Sequence, residues 1–269
     1  MNLGISLSLG STHSAGFNPT SALFAAGEQG YWLDPSDFST MFQDAAGTTP
    51  VTAVGQSVRR MLDKSGRGNT FTQANVANAP ALQVDANGRH FLLFDGVDDW
   101  LQTGTITPGT DKAQVFAGLT KNNETVAIVL ETGTSIGENS GALYLVTGAD
   151  PAPANRYSSL ARGSASASPS MAATTNTGNA PDTAVISAIH DIAGDLSRIR
   201  RNGVTGTDAT ADKGTGNFLA YPHYVGRRAG TSLPFNGRIY QLICRFGSNL
   251  TAAQITQAET FVNARTGAF

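Results

Sequence analysis

The sequence predicts an all-β fold, an antiparallel sandwich, on three observations: many short apolar or alternating runs, turn residues between nearly every pair of them, and only one well-marked helix. The runs fall at 31–33, 58–62, 90–94, 114–119, 125–130, 142–146, 183–189, 198–201, 223–225 and 238–246. Composition agrees. Of the 269 residues only 14% are charged, and 30 are Gly, against roughly 25% charged in an average globular domain. Gly and Asn reach positive φ at little cost, which suits strands joined by many tight turns.

At the N-terminal end, residues 1–27 carry no charged side chain, and Leu3, Ile5, Leu7 and Leu9 alternate with Gly4, Ser6, Ser8 and Gly10. That period of two marks an extended segment with one apolar edge and no strand nearby to pair with. The expectation is an anchoring arm over 1–27 that pairs with another chain by strand addition, ahead of one domain over 28–269. An unstructured tail is the alternative.

Asp34-Pro35-Ser36-Asp37 suits one short helical turn with Asp34 as its cap. Asp95-Gly96-Val97-Asp98-Asp99 reads as a tight turn leaving a buried strand, its Asp side chains accepting from turn N–H groups. Residues 150–182 are rich in Ala, Ser, Thr, Pro and Asn and read as a long surface loop. Asn202-Gly203 is the strongest hairpin signal, fitting a type I′ turn. Thr251 and Gln254 form a capping box with Leu250 and Ile255 as its staple. A helix over 251–266 follows, turning Ile255, Ala258 and Val262 inward and ending at Gly267.

The chemical classes narrow next. A net charge of −2 gives no electrostatic case for nucleic acid. No apolar stretch reaches the ~20 residues of a membrane span. Met1-Asn2-Leu3-Gly4 lacks the basic start of a signal peptide, so the product is expected in the cytoplasm or released by lysis. The single Cys244 sits in an apolar run and reads as a buried thiol.

Gly133-Thr134-Ser135-Ile136-Gly137 matches a nucleophile-elbow pattern, with His190 and Asp191 downstream, but another strand follows where that motif needs a helix. Glu124, Glu131 and Glu138 are isolated, without the same-strand Glu-x-Asp-x-Glu of jelly-roll glucanases. No enzyme activity and no cofactor are therefore expected. Asp95, Asp98 and Asp99 supply oxygens that suit Ca²⁺, but without EF-hand spacing, and turn chemistry is the preferred reading. Arg198, Arg200, Arg201, Arg227, Arg228, Arg238 and Arg245 form either a patch for an acidic partner or solvated strand edges, the latter preferred. Trp100, Tyr144, Tyr157 and Tyr221 suit either sugar stacking or core packing.

Several stretches, taken in order, carry a family resemblance. Tyr31-Trp32-Leu33-Asp34-Pro35 runs on through Met41-Phe42-Gln43-Asp44 to Leu62-Asp63-Lys64-Ser65-Gly66. Phe94-Asp95-Gly96-Val97-Asp98-Asp99-Trp100 follows, and later Val225-Gly226-Arg227-Arg228 and Phe235-Asn236-Gly237-Arg238. Over about 28–267 this order resembles the concanavalin A-like, laminin-G-like jelly-roll β-sandwiches of tailed-bacteriophage and prophage virion proteins.

The resemblance implies two stacked antiparallel sheets with functional loops at their rims. It also implies a virion structural protein: a tail fibre, spike or head decoration attached by its arm, assembled in the host cytoplasm and released by lysis. Expected partners are other virion proteins, copies of this chain with a trimer favoured, and a host-surface polysaccharide. A carbohydrate-active enzyme or free lectin on the same sandwich is the alternative.

Overall fold

A computed structural model describes residues 16–148, 155–165, 171–173 and 178–269. Among the described residues there are seventeen strands. The first nine are β1 (Gln29–Leu33), β2 (Met41–Phe42), β3 (Arg60–Met61), β4 (Phe71–Thr72), β5 (Ala81–Val84), β6 (His90–Asp95), β7 (Leu101–Gln102), β8 (Lys112–Lys121) and β9 (Ala127–Thr132). Then come β10 (Leu143–Thr147), β11 (Tyr157–Ala161), β12 (Ala172–Ala173), β13 (Asp182–Asp191), β14 (Leu196–Arg201), β15 (Val204–Thr205), β16 (His223–Val225) and β17 (Asn236–Phe246). Two α-helices, α1 (Pro19–Leu23) and α2 (Ala252–Thr266), lie near the ends.

Every paired strand is antiparallel. One sheet runs β15-β14-β13-β8-β17-β6-β5, with β1 also on β17; the other runs β12-β11-β10-β9-β16-β7-β4-β3-β2. This is the jelly-roll sandwich, and its core lies between the two inner faces. Val115, Ala117, Leu119, Ile186, Ala188, Leu242 and Cys244 from the first sheet pack on Met61, Phe71, Leu101, Val129, Leu145 and Val225 from the second. Burial pushes the Cys244 thiol up to about 12, so it stays protonated.

The helix cap is present as the residues require. Thr251 Oγ1 accepts from Gln254 N (3.3 Å), Gln254 Oε1 accepts from Thr251 N (2.9 Å), and Gly267 closes the helix at φ 67°. Ala258 and Val262 are fully buried against Phe116, Val185 and Ile243 on the outer face of the first sheet. Asn202 and Gly203 take φ 51° and 77° at the β14–β15 hairpin.

Three local expectations change. The short helix near Asp34 lies four residues on, at Phe38–Thr40, capped by Asp37. Asp34 instead is buried in a turn, accepting from Ser36 and pairing with Lys64 at 3.1 Å. The Ala/Ser/Thr-rich stretch is not all surface loop: β11 and β12 lie in it, and Tyr157, Ala161 and Ala172 belong to the main core. Alternation was hidden there because small residues fill the inward positions. Within 1–27, residues from Phe17 onward pack on the body, with Leu23 and Phe24 buried beside Trp32. Arg245 Nε donates to Leu23 O at 2.6 Å. Leu3, Ile5, Leu7 and Leu9 lie outside the described residues.

Candidate functional site

Strand register builds one continuous feature on the outer face of the second sheet. Phe42 pairs with Arg60, Arg60 with Thr72, Thr72 with Gln102, and Gln102 with Tyr224. Tyr224 pairs with Glu131, Glu131 with Tyr144, and Tyr144 with Leu160. Directly paired residues share a face. The neighbouring positions Met41, Met61, Phe71, Leu101, Val225, Leu130 and Leu145 all point into the core. A single transverse row of side chains, about 4.8 Å apart, therefore crosses the sheet, and polar and aromatic groups fill its middle.

The row has an open half and a covered half. Arg60, Thr72 and Gln102 are half-buried, and Trp100, two residues before Gln102, shares their face. Trp100 lies 5.9 Å from the Tyr224 ring. Toward β9 the loop 226–235 closes over the row. Its main chain is tied down by Ile128 N–Leu233 O (3.0 Å) and Phe235 N–Gly226 O (2.8 Å). Gly226, Ala229, Gly230 and Leu233 all have positive φ. A Cβ on Gly230 would stand 2.7 Å from the Trp100 indole, so glycine there lets the ring lie on the loop.

Under this loop lies Glu131, with 0% exposure. Its carboxylate accepts from Ile136 N at 2.8 Å and from Arg228 Nε at 2.8 Å. Burial raises its pKa, opposed by the hydrogen bond from Arg228. Arg228 and the Ile136 N–H hold the buried carboxylate between Tyr144 and Tyr224; the half-open strip beside it can hydrogen-bond and stack on a polyhydroxylated ligand.

The sequence singled out other groups, and the structure places them elsewhere. Asp95, Asp98 and Asp99 bring one carboxylate oxygen each to within 4.8 Å of one another. Asp95 Oδ1 accepts from Val97 N (2.7 Å), and Asp99 Oδ2 from Asp95 N (3.0 Å). Gly96 has φ 81°, and a Cβ there would meet Asn236. Burial, with the charges of Asp95 and Asp98 added, pushes the Asp99 carboxyl up to about 6. These oxygens could hold a hard cation such as Ca²⁺, but two of them already serve turn N–H groups.

Ser135 sits in a loop whose N–H groups bond Asn139 and not a helix. His190 is far inside, its nitrogens 2.9 Å from Ser159 Oγ and 2.9 Å from Ser197 Oγ. Burial lowers its pKa to about 3, so it is neutral, and the elbow pattern assembles no triad. A polar recess of about 330 Å³ at one rim is lined by Asp111, Asp195, Asp212 and Asn217. Of the seven arginines, five form ion pairs: Arg198–Asp208, Arg200–Glu259, Arg201–Asp182, Arg228–Glu131 and Arg245–Glu28. Their charge is largely spent within the fold. Tyr157 is core, whereas Trp100 and Tyr144 belong to the outer face.

Glu131, Arg60, Thr72, Gln102 and Tyr224 were not recognised as one group from sequence. They come from five strands, and only register unites them.

No family model matches the chain, and no curated protein sequence matches it. Solved structures do match. A Trypanosoma rangeli sialidase aligns over 89% of this chain and 33% of its own, at 12% identity and TM-score 0.54. An arabinofuranosidase complexed with arabinofuranosyl-α-1,2-xylobiose aligns over 93% of this chain and 65% of its own, at 15% identity and TM-score 0.56. The receptor-binding domain of botulinum neurotoxin type G aligns over 77% and 49%, at 13% identity and TM-score 0.51.

The chain thus spans a third of the sialidase, about half of the toxin domain and just under two thirds of the arabinofuranosidase. The class is an antiparallel β-sandwich, the fold these neighbours share. The expectation of a non-enzymatic chain is corrected here: two of these neighbours are glycosidases, so the lack of a same-strand carboxylate triplet does not set the chain outside the folds that glycosidases use.

Proposed function

We propose that this chain is a glycan-recognising sandwich displayed on a bacteriophage particle, a tail fibre, spike or head decoration. The observation that carries the glycan reading is the transverse row from Arg60 to Tyr144, with Trp100 beside it. Its open half combines the hydrogen-bonding groups of Arg60, Thr72 and Gln102 with the face of Trp100, which is what a polyhydroxylated ligand requires. The neighbours' fold supports it. The sequence resemblance around Phe94-Asp95-Gly96-Val97-Asp98-Asp99 supports the particle, and the uncharged residues 1–27 support attachment, to other virion proteins and to copies of this chain in a symmetric trimer.

Two measurements test the two halves. Glycan-array binding by the full chain should fall at least about tenfold for Trp100→Ala or Gln102→Ala, a loss of ~1.4 kcal/mol. Unchanged binding in both variants removes the row as the contact surface. Deleting residues 1–15 should empty particles of the protein; normal occupancy removes the anchoring role.

A second reading, glycoside hydrolysis, rests on the fold of the two glycosidase neighbours; Glu131 would reach a sugar only with loop 226–235 displaced from above it. Turnover of a bound glycan that Glu131→Gln abolishes without weakening binding would establish it.

A further inference from the structure

Helix α2 covers the first sheet with one face, and no described residue covers another. Along that outer face Thr256, Gln257, Thr260, Phe261 and Ala264, with Phe17 opposite, line a groove of about 500 Å³. Phe17 and Phe261 stand 5.4 Å apart, and Phe261 in turn lies 5.6 Å from Trp32. No side chain lining the groove is charged. Gly16, the first described residue, forms its end.

Fifteen residues precede Gly16, also without a charge, and they hold Leu3, Ile5, Leu7 and Leu9 at every second position. Residues 10–15 can extend about 20 Å, enough to return Leu9 along an adjoining groove. A tether this short gives an effective concentration in the millimolar range. At micromolar protein it outcompetes the same segment on any other copy.

We propose that in the unassembled chain this groove holds the chain's own residues 3–9, their alternate apolar side chains turned onto the uncharged face of α2. The arm is then stored on the body and must leave the groove to reach another chain. This inference rests on the groove and the tether and does not depend on the glycan or particle readings.

Paired cysteines test it on the full chain. Leu3→Cys, Ile5→Cys, Leu7→Cys and Leu9→Cys are each combined with Thr260→Cys, an exposed position. The buried Cys244 takes no part. Control chains carry the same arm cysteine with Val97→Cys, on the exposed turn after β6. Oxidation at low micromolar protein, read by non-reducing gel and peptide mass, should give an intramolecular disulfide in at least one Thr260 pair. Its yield should be at least about tenfold above the controls, as the effective-concentration difference requires.

Disulfide-linked dimers as the main product would overturn the proposal and assign the groove to a second copy. No pair rising above the controls would overturn it as well. If deletion of 1–15 empties particles while no cross-link forms, the anchoring reading stands and this one fails.

Discussion

Arg228→Ala tests the ion pair that holds loop 226–235 over the sheet. The substitution leaves the Glu131 carboxylate at 0% exposure with one remaining donor, Ile136 N. Breaking a fully buried pair from one side costs ~3–5 kcal/mol. The Arg228 side chain is 25% exposed, so water already screens part of the attraction. The loss at pH 7.5 should therefore be about 2–3 kcal/mol, a Tm shift of roughly 5–10 °C for a chain of this size.

The pH dependence carries the sharper expectation. A carboxyl whose folded pKa lies above its unfolded one binds protons preferentially in the folded state. Its stabilisation is full below the unfolded pKa and is lost as pH rises through the folded one. Glu131 already stands on that side. Removing Arg228 takes away its main opposing influence and moves it further. The gap between variant and parent should thus shrink toward pH 4, where Glu131 takes up a proton in place, and widen toward pH 7.5.

Thermal melts at both pH values, with Glu131→Gln/Arg228→Ala recovering most of the loss, make the assay. A loss below about 1 kcal/mol at pH 7.5, or an equal loss at both pH values, would refute the reasoning.

Four further expectations follow from local geometry. Gly118→Ala puts a methyl 1.9 Å from Thr266 Oγ1 and 2.9 Å from Val262 Cγ1, so α2 must shift; melts should show a loss of ~1–3 kcal/mol. Thr251→Ala removes the capping box and should cost about 1 kcal/mol in denaturant titration, with the m-value unchanged. Asp99→Asn keeps an acceptor for Asp95 N and removes a charge that the fold disfavours above about pH 6. The parent's Asp99 contribution is full at pH 4 and lost by pH 7.5, so the variant should gain on the parent over that range by up to roughly 2–3 kcal/mol. Millimolar Ca²⁺ should leave the parent's Tm unmoved if Asp95, Asp98 and Asp99 act as turn residues; a rise abolished by Asp99→Asn would make them ligands.

The sequence made local features legible wherever a chemical signal is short-ranged. Thr251 and Gln254 are three residues apart, Asn202 and Gly203 adjacent, and each pair specifies its own backbone. Apolar runs such as 114–119 and 238–246 announced the central strands β8 and β17, which are buried on both faces and need no alternation. Two-residue strands such as β2, β4 and β7 left no period to detect. Strand β11 was lost among Ser and Ala because it carries small residues at its other inward positions.

The candidate site was the least legible part. Gln102, Tyr224 and Glu131 are separated by long stretches of chain, and no local rule says which strands will lie side by side. Glu131 looked isolated in sequence and is so along its strand; its neighbours stand across the sheet.

Strand β17 holds the middle of the first sheet, with β8, β6 and β1 all bonded to it, and it follows all three in the chain. Synthesis sets the timetable of folding. At ~5–20 residues per second, β1 emerges roughly 10–45 s before the partner it needs. Until then β6 and β8 each present a row of unpaired backbone groups to whatever is nearby. On a polysome, the nearest such edges belong to sister chains at the same stage. The hazard for this protein is therefore concentrated in the interval before β17 is made, and slowing translation across 236–246 should raise the aggregated fraction without changing the stability of the finished molecule.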